Sequence, residues 1–239
     1  MNTIKIDKRQ TKMIGHMGLR GIEMMNTNAA FVAAGNRSYY GIETDIHVTG
    51  DEKIVVFHDD NTRKCTGIDM MVEQSTLAEL QALRLYDMEA GRYRTDLHMP
   101  TLDEYIRICK KYEKKAVLEL KNDMAKQHIQ LVIDIIKELD YLEHIVFISF
   151  SWDNCVTIRR LLPEQPIQWL TEKWAEVNLA DLANYQFGLD IIHKELTEER
   201  MRQAHACGIP VNAWTVNEKE RAEELISWGI DFITTDILE

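Results

Sequence analysis

The sequence has few cysteines and no closely spaced pair of them. Its four cysteines (Cys65, Cys109, Cys155 and Cys207) are far apart, and no CxxC is present. A disulfide framework and a zinc-thiolate site both need cysteines in a recognisable spacing, so neither is predicted. Isolated thiols of this kind are typical of a protein that stays reduced in the cytoplasm.

Long apolar runs and an N-terminal targeting segment are also missing. The chain begins with the polar segment MNTIKIDKRQTK, which has no apolar stretch of the kind found in signal peptides. No later apolar run approaches the ~20 residues that a membrane-spanning helix requires. We therefore expect a soluble, cytoplasmic protein without stable membrane insertion.

Positive charge is scarce. The chain has 28 Lys and Arg against 39 Asp and Glu, which gives a formal net charge of −11. This surplus repels nucleic acid and anionic lipid over most of the molecule, so nucleic acid is not expected as a partner. An anionic substrate would need a local cation or a bound metal ion.

Gly-rich phosphate-binding turns are absent too. Neither GxGxxG nor GxxxxGK[ST] occurs, which disfavours an open, doubly wound nucleotide-binding sheet. Short apolar segments instead alternate with segments of helical period, as in βαβ units. Strands are predicted at 13–18, 41–48, 116–121, 145–150, 166–170, 187–193, 210–216 and 231–236. The pattern predicts an α/β fold, a single (β/α)8 TIM barrel over residues 1–239.

Helix start signals follow several of these strands. Predicted N-caps are Thr101, Ser151, Thr197 and Asn217, whose side chains can accept hydrogen bonds from free N–H groups of a first helical turn.

The interval between the second strand and the helix near residue 101 is too long for a βα loop. It spans about residues 49–100 and contains the apolar segment IVVFHD, a short predicted helix at 76–83 and a polar stretch. Because this insertion leaves the carboxyl end of a barrel strand, we expect it to overhang the mouth of the barrel, where active sites of this fold lie.

Acidic side chains stand at the carboxyl ends of adjacent predicted strands. Glu43 and Asp45 share one face of the second strand, and Glu119 lies near the end of the third. Three carboxylates would repel each other without a cation, so a divalent metal is predicted between them. All-oxygen ligation favours Mg²⁺ or Ca²⁺ over zinc. The alternative is that Glu43 or Asp45 forms an ion pair with Lys121 or Arg20.

Two histidines flank these carboxylates. His16 ends the first strand, and His58 ends the apolar segment of the insertion. Because histidine titrates near neutral pH, the pair is predicted to act as acid and base in hydrolysis or transfer at a phosphate. The sequence does not say which histidine has which role. His47 and His193 are weaker candidates for the same chemistry.

Four blocks of the sequence, in order, resemble the glycerophosphodiester phosphodiesterase family. They run from about residue 13 to 236 and contain GHMGLRGIEMMNTNAAFVAAG, GIETDIHVTGDEKIVVFHDDNTRKCTG, PTLDEYIRICKKYEKKAVLELK and VNAWTVNEKERAEELISWGIDFITTD. The resemblance implies a TIM barrel that uses a divalent metal. Its implied reaction hydrolyses a small glycerophosphodiester to an alcohol and glycerol 3-phosphate. The oligomeric state is not predicted.

The resemblance also implies roles for individual residues. The implied metal ligands and acid/base pair are Glu43, Asp45 and Glu119, and His16 and His58. Lys121 resembles the lysine that supports the phosphate and the metal-site carboxylates, and Trp214 resembles an aromatic wall of the substrate pocket. Apart from the resemblance, the position of Asp236 at the end of the last strand makes it a candidate to orient a pocket group.

The first two motifs depart from the family pattern. His-Arg-Gly becomes His16-Met17-Gly18, and Pro-Glu-Asn-Thr becomes Met24-Met25-Asn26-Thr27. The missing arginine would have bound phosphate through charge-assisted hydrogen bonds. Arg20 is the predicted substitute cation for substrate binding. Two alternatives stay open. One is a barrel that binds a phosphoester at the metal site without turnover, and the other is a phosphodiesterase with a shifted substrate, since Met17 and Met25 pack adaptably against apolar groups.

Overall fold

The computed structural model describes residues 2–87 and 90–239. Its strands in chain order are β1 (Lys12–Gly15), β2 (Gly41–Val48), β3 (Ile54–Val56), β4 (Leu85–Asp87), β5 (Arg92–Arg94), β6 (Lys115–Leu120), β7 (Ile145–Ser149), β8 (Ile167–Thr171), β9 (Gly188–Ile192), β10 (Val211–Trp214) and β11 (Phe232–Thr235). Its α-helices are α1 (Asn28–Gly35), α2 (Arg63–Thr66), α3 (Leu77–Gln81), α4 (Leu102–Lys111), α5 (Lys126–Glu138), α6 (Trp152–Leu161), α7 (Leu179–Tyr185), α8 (Glu198–Ala206) and α9 (Lys219–Ser227).

Parallel strands close into a barrel. The order around the barrel is β1, β2, β6, β7, β8, β9, β10 and β11, and β11 pairs with β1 to complete the ring. Helices follow the barrel strands and cover the outside of the sheet. The predicted TIM barrel with an insertion after its second strand is confirmed.

Both faces of the barrel strands are buried and mostly apolar, because helices cover the strands outside and the strands cover one another inside. β7, for example, is buried at every position. The large core between sheet and helices contains Phe31, Tyr105 and Phe147. A smaller cluster inside the barrel contains Ile148 and Leu170, which support the cavity described below. The carboxyl ends of the strands therefore stand on a rigid, packed base.

Three of the predicted N-caps begin helices α4, α6 and α8, and they are Thr101, Ser151 and Thr197. The fourth prediction, Asn217, is wrong, because the N-cap of α9 is Glu218. The Asn217 amide instead donates to Asp236 Oδ2 and accepts from the Asp236 N–H, both at 2.8 Å. An amide supplies a donor and an acceptor at once, so Asn217 can hold the segment after β11 on both sides.

The insertion folds onto one side of the barrel. Strand β3 runs antiparallel to β2, and β4 and β5 form a separate antiparallel pair. A second apolar cluster, which includes Phe57, Cys65, Leu80 and Met99, holds these pieces together. The predicted helix at 76–83 is present as α3, whereas the β4–β5 pair was not predicted.

None of the described helices is both long enough and apolar enough to cross a bilayer.

Candidate active site

A cavity of about 380 Å³ opens at the carboxyl ends of the barrel strands and is termed the mouth cavity. Its lining residues are His16, Met17, Glu43, Asp45, His58, Glu119, Lys121, Ile148, Phe150, Leu170, Glu172, Asp190, Trp214 and Thr234. The predicted metal ligands, the predicted acid/base pair, Lys121 and Trp214 all line this cavity, whereas the other candidates do not: Arg20, His47, His193 and Asp236. Residues far apart in the chain thus meet where the fold places its active sites.

Three buried carboxylates meet on one side of the mouth cavity. Glu43, Asp45 and Glu119 each offer an oxygen, and these oxygens lie within 4.8 Å of one another. Adjacent strands bring them together, since Asp45 on β2 is in register with Glu119 on β6. The backbone N–H of Met17 donates to Glu43 Oε2 at 2.7 Å, and Asn26 Nδ2 donates to Asp45 Oδ2 at 2.8 Å. These donors fix the orientation of both carboxylates.

Lys121 is the cation beside this group. Its Nζ lies 2.9 Å from Glu119 Oε1 and 3.6 Å from Asp45 Oδ1, so the ion pair considered as an alternative does form. It does not balance three carboxylates. Burial, together with the charges of Asp45 and Glu119, raises the pKa of Glu43 well above its ordinary value. Burial and the charge of Asp45 raise the pKa of Glu119 to about 8.

The donor set fits a hard divalent cation. When all three carboxylates are ionised, they and the one ammonium leave two negative charges in surplus, which such an ion would neutralise. Asp45 Oδ1 is buried and accepts no hydrogen bond from any described residue. The Lys121 ammonium, 3.6 Å away, is beyond hydrogen-bond distance, so burying this oxygen stays costly until a closer cation binds it. The all-oxygen set suits Mg²⁺ or Ca²⁺, and the geometry does not choose between them.

His16 is held by a carboxylate behind it. Its Nδ1 lies 2.7 Å from Asp236 Oδ1, and Asn217 Nδ2 donates to the other oxygen at 2.8 Å. Burial opposes ionisation of Asp236, but the hydrogen bonds from His16 and Asn217 outweigh it and lower the pKa of Asp236. An ionised Asp236 accepts the Nδ1 proton, so Nε2 of His16 is left to face the cavity.

His58 also has a carboxylate beside its Nδ1, and a second histidine contacts its loop. Its Nδ1 lies 2.6 Å from Asp59 Oδ1. His47 Nε2 lies 3.4 Å from the His58 carbonyl oxygen, and His47 Nδ1 lies 3.0 Å from Glu73 Oε1 in the insertion. His47 is fully buried and supports the loop instead of lining the cavity. His193, the other weak candidate, does not line the mouth cavity.

An aromatic wall forms part of the mouth cavity. Trp214 packs edge-on against Phe150, with ring centroids 5.8 Å apart at 89°. Phe150 is 44% exposed although it is aromatic, which leaves its face available to a ligand. The cavity therefore has an acidic part and an apolar part.

The sequence pattern did not single out two acidic residues of the lining, Glu172 and Asp190. Asp190 is 1% exposed, and its Oδ1 accepts no hydrogen bond from any described residue. Burial, only partly offset by a hydrogen bond with Asn212, raises the pKa of Asp190 to about 7. The available signal was a single aspartate inside the apolar segment FGLDIIH.

The two motif methionines and Arg20 lie around different cavities. Met17 lines the mouth cavity, whereas Met25 and Arg20 line a second cavity beside it. Among the described residues that line the mouth cavity, Lys121 is the only lysine or arginine. Arg20 therefore does not stand in the mouth in place of the missing arginine of the first motif.

Comparison with known proteins agrees with this geometry. The sequence profile of the glycerophosphoryl diester phosphodiesterase family matches residues 16–239. A glycerophosphodiester phosphodiesterase of Caldanaerobacter subterraneus subsp. tengcongensis is 27% identical over 95% of this chain and 94% of its own.

Solved structures show the same fold. A glycerophosphodiester phosphodiesterase from Parabacteroides distasonis is 28% identical with a TM-score of 0.81, covering 95% of this chain and 93% of that one. A phosphodiesterase from Oleispira antarctica, solved in complex with the product sn-glycerol-3-phosphate, is 26% identical with a TM-score of 0.85 over 95% and 93% of the two chains. The profile match over nearly the whole chain and the shared barrel lead to one conclusion: this chain belongs to the glycerophosphoryl diester phosphodiesterase family of hydrolases.

Proposed function

We propose that this chain hydrolyses glycerophosphodiesters to an alcohol and glycerol 3-phosphate, with a divalent metal held by Glu43, Asp45 and Glu119. The observation that carries the proposal is the convergence of these buried carboxylates and of His16 and His58 on one cavity. The product bound in the Oleispira antarctica structure supports the same reaction here.

The acidity of the mouth cavity explains the need for a metal. Beside the three clustered carboxylates, Glu172 and Asp190 also line it. A phosphodiester anion would be repelled from such a cavity. A bound divalent ion would neutralise the cluster and polarise a phosphoryl oxygen, which favours attack at phosphorus.

The two histidines carry the protons. Overall, one water is consumed, the bond between phosphorus and the alcohol oxygen breaks, and a bond from phosphorus to the water oxygen forms. One histidine takes a proton from the attacking water, and the other gives a proton to the departing alkoxide. Each has its Nδ1 on a carboxylate, Asp236 or Asp59, so each presents Nε2 for this transfer.

Other described residues bind and orient the substrate. The ammonium of Lys121 is adjacent to Glu119 and faces the cavity, where it can also contact a phosphate oxygen. Trp214 and Phe150 offer apolar surface to the carbon atoms of the substrate.

A phosphodiesterase assay tests the proposal. Glycerophosphocholine, glycerophosphoethanolamine and glycerophosphoglycerol are offered with Mg²⁺, Ca²⁺ or Mn²⁺, and with a chelator. We expect hydrolysis that needs the metal and that falls by about 10²- to 10⁴-fold in His16→Ala and in His58→Ala, the range that general acid–base catalysis contributes.

His193→Ala is the matched control, because that histidine lies outside the mouth cavity, and it should keep the wild-type rate. Full activity in chelator, or in both of the other histidine variants, would contradict the proposal. Metal binding without any hydrolysis would favour the non-catalytic alternative.

A further inference from the structure

A second cavity, termed the side cavity, opens between the loop after β1 and the insertion. Its volume is about 500 Å³, against about 380 Å³ for the mouth cavity. Its walls include Arg20, Met24 and Met25 from the loop and Lys64 and Tyr86 from the insertion. None of the chemistry described above uses this space.

The side cavity adjoins the mouth cavity at His58. A narrow space of about 10 Å³ lies between the two and is lined by His58 together with Met24, Met25 and Cys65. The same two methionines and Cys65 also line the side cavity, and His58 also lines the mouth cavity. The side cavity is therefore a neighbour of the mouth cavity on the side of His58.

The carboxylates of the side cavity are already paired. Arg94 Nη1 lies 3.1 Å from Asp87 Oδ2 and 3.4 Å from Glu23 Oε2, and its Nη2 lies 2.7 Å from Asp96 Oδ2. Arg20 and Lys64, by contrast, are exposed, and neither forms an ion pair with any other residue in the described ranges. Among the described residues that line the side cavity, three are basic (Arg20, Lys64 and Arg94) and two are acidic (Glu23 and Asp87), and the basic groups without an ion-pair partner are Arg20 and Lys64.

We propose that the side cavity is the subsite for the departing alcohol and that Arg20 and Lys64 bind a phosphate monoester carried by that alcohol. This inference rests on the proposed hydrolysis at the mouth cavity and names its substrate class. Arginine and lysine are the phosphate-binding side chains, the first through a planar fork and the second as a point charge. Met24, Met25 and Tyr86 contact the carbon spacer between the two phosphates.

A cationic alcohol is the disfavoured case. The trimethylammonium of choline would meet Arg20 and Lys64, which have no ion-pair partner among the described residues, whereas Glu23 and Asp87 already contact Arg94. The substrate order should therefore be phosphorylated alcohol first, neutral alcohol second and choline last.

Competition between matched substrates tests the subsite. Values of kcat/KM are measured for glycerophosphoglycerol, for the same compound with a phosphate on its terminal hydroxyl, and for glycerophosphocholine. The readout is the ratio of the phosphorylated to the unphosphorylated compound. Arg20→Gln and Lys64→Gln should each lower this ratio about fivefold, the value of one exposed charge contact, and the double variant should remove the preference.

Two control variants test whether the effect depends on where the lost charge lies and not only on the loss of a positive charge. Arg160→Gln and Lys137→Gln remove exposed charges on α6 and α5, away from both cavities, and should leave the ratio unchanged. The ratio should also fall with rising salt in the wild type but not in the double variant. An equal ratio in the wild type and the double variant overturns the proposal.

A binding measurement separates this inference from the proposed hydrolysis. Ethylene glycol monophosphate, a minimal alcohol with a phosphate, is titrated calorimetrically into the full chain without substrate. Weaker binding by tenfold or more in the double variant supports the subsite even if no phosphodiester is hydrolysed, in which case the proposed function alone has failed. Unchanged binding, with hydrolysis intact and an unchanged ratio, overturns the subsite alone.

Discussion

In the proposed mechanism Asp236 acts only through His16, whose Nδ1 lies 2.7 Å from its Oδ1, so a substitution of Asp236 tests that mechanism at the scale of a single residue. Asp236→Asn replaces an ionised acceptor with an amide that no longer stabilises the Nδ1–H form of His16. We expect kcat to fall by about 10²-fold with little change in KM, because the loss is in proton transfer and not in substrate binding. Steady-state kinetics measures both. A change confined to KM would show that Asp236 binds substrate instead.

Asp190 gives a pH-dependent prediction. Its pKa is raised by burial to about 7, so its folded-state pKa is above its unfolded value. A raised carboxyl pKa destabilises the folded state as pH rises from the unfolded value through the folded one. The unfolding free energy of the wild type should therefore fall relative to that of Asp190→Asn as the pH rises. Between about pH 5 and pH 8 the difference between the two proteins should change by on the order of 2 to 4 kcal/mol in favour of the variant.

Urea denaturation at both pH values, in chelator, measures this gain. Glu43 and Glu119 titrate in both proteins, so their contribution cancels in the difference. A stability difference that does not change with pH would mean that Asp190 is already ionised and paired in the folded protein.

The sequence predicted most of the mouth cavity at the residue scale, but it could not tell which way each polar side chain points. Glu43, Asp45 and His47 alternate along β2, yet His47 reaches Glu73 in the insertion and braces the His58 loop. That contact joins two segments whose relative position depends on the folded insertion. Asp190 was missed because one aspartate in an apolar strand has no periodic signal.

The loop between β1 and α1 contains a glycine at which both the backbone conformation and the surrounding space disfavour a side chain. Gly18 has φ +82°, and a Cβ there would lie 2.6 Å from the Cβ of Ala30 on α1. Gly208, after α8, has a similar φ of +72°, but a Cβ there would meet nothing within 4 Å. Comparing alanine substitutions at Gly18 and Gly208 therefore separates the cost of backbone strain from the cost of a steric clash.

Gly208→Ala should cost about 1 kcal/mol of unfolding free energy, the strain of a left-handed alanine. Gly18→Ala should cost about 1 to 3 kcal/mol more, because α1 or the loop must also shift. That shift would disturb the adjacent Met17 N–H, which donates to Glu43. Denaturant unfolding of both variants measures the difference, and equal costs would show that the loop accommodates the methyl group freely.

Element order followed from the sequence because each barrel strand is a short apolar run between helices. The predicted strand boundaries were less accurate near the candidate active site and in the insertion. The first strand was predicted over 13–18 but ends at Gly15, so that His16 stands in the loop where its ring can meet Asp236. The β4–β5 pair was missed because a strand such as Arg92–Arg94 is exposed and polar.

Metal binding should be visible in the stability of the whole molecule. An ion that binds only the folded chain at about 100 times its Kd adds ~2.7 kcal/mol to the unfolding free energy. For a chain of this size we expect Tm to rise by about 5 to 10 °C on adding Mg²⁺ or Ca²⁺ to chelator-treated protein. Glu119→Gln should remove most of this metal-induced rise in Tm.

The gain should also depend on pH, in a direction set by the carboxylates. Burial and Asp45 raise the pKa of Glu119 to about 8, so protons compete with the metal below that value. The Tm gain should therefore be larger near about pH 8.5 than near about pH 6. Differential scanning calorimetry at the two pH values measures it, and a larger gain at the lower pH would argue against carboxylate ligation.

The central claim is that Glu43, Asp45 and Glu119 share one cation, and anomalous diffraction from crystals soaked in Mn²⁺ tests it most directly. Mn²⁺ takes the same oxygen ligands as Mg²⁺ and can be located by its anomalous signal. We predict one strong peak between the three carboxylates and its loss in Glu119→Gln. Absence of a peak there in the wild type, or a manganese ion bound elsewhere with this cluster empty, would contradict the account.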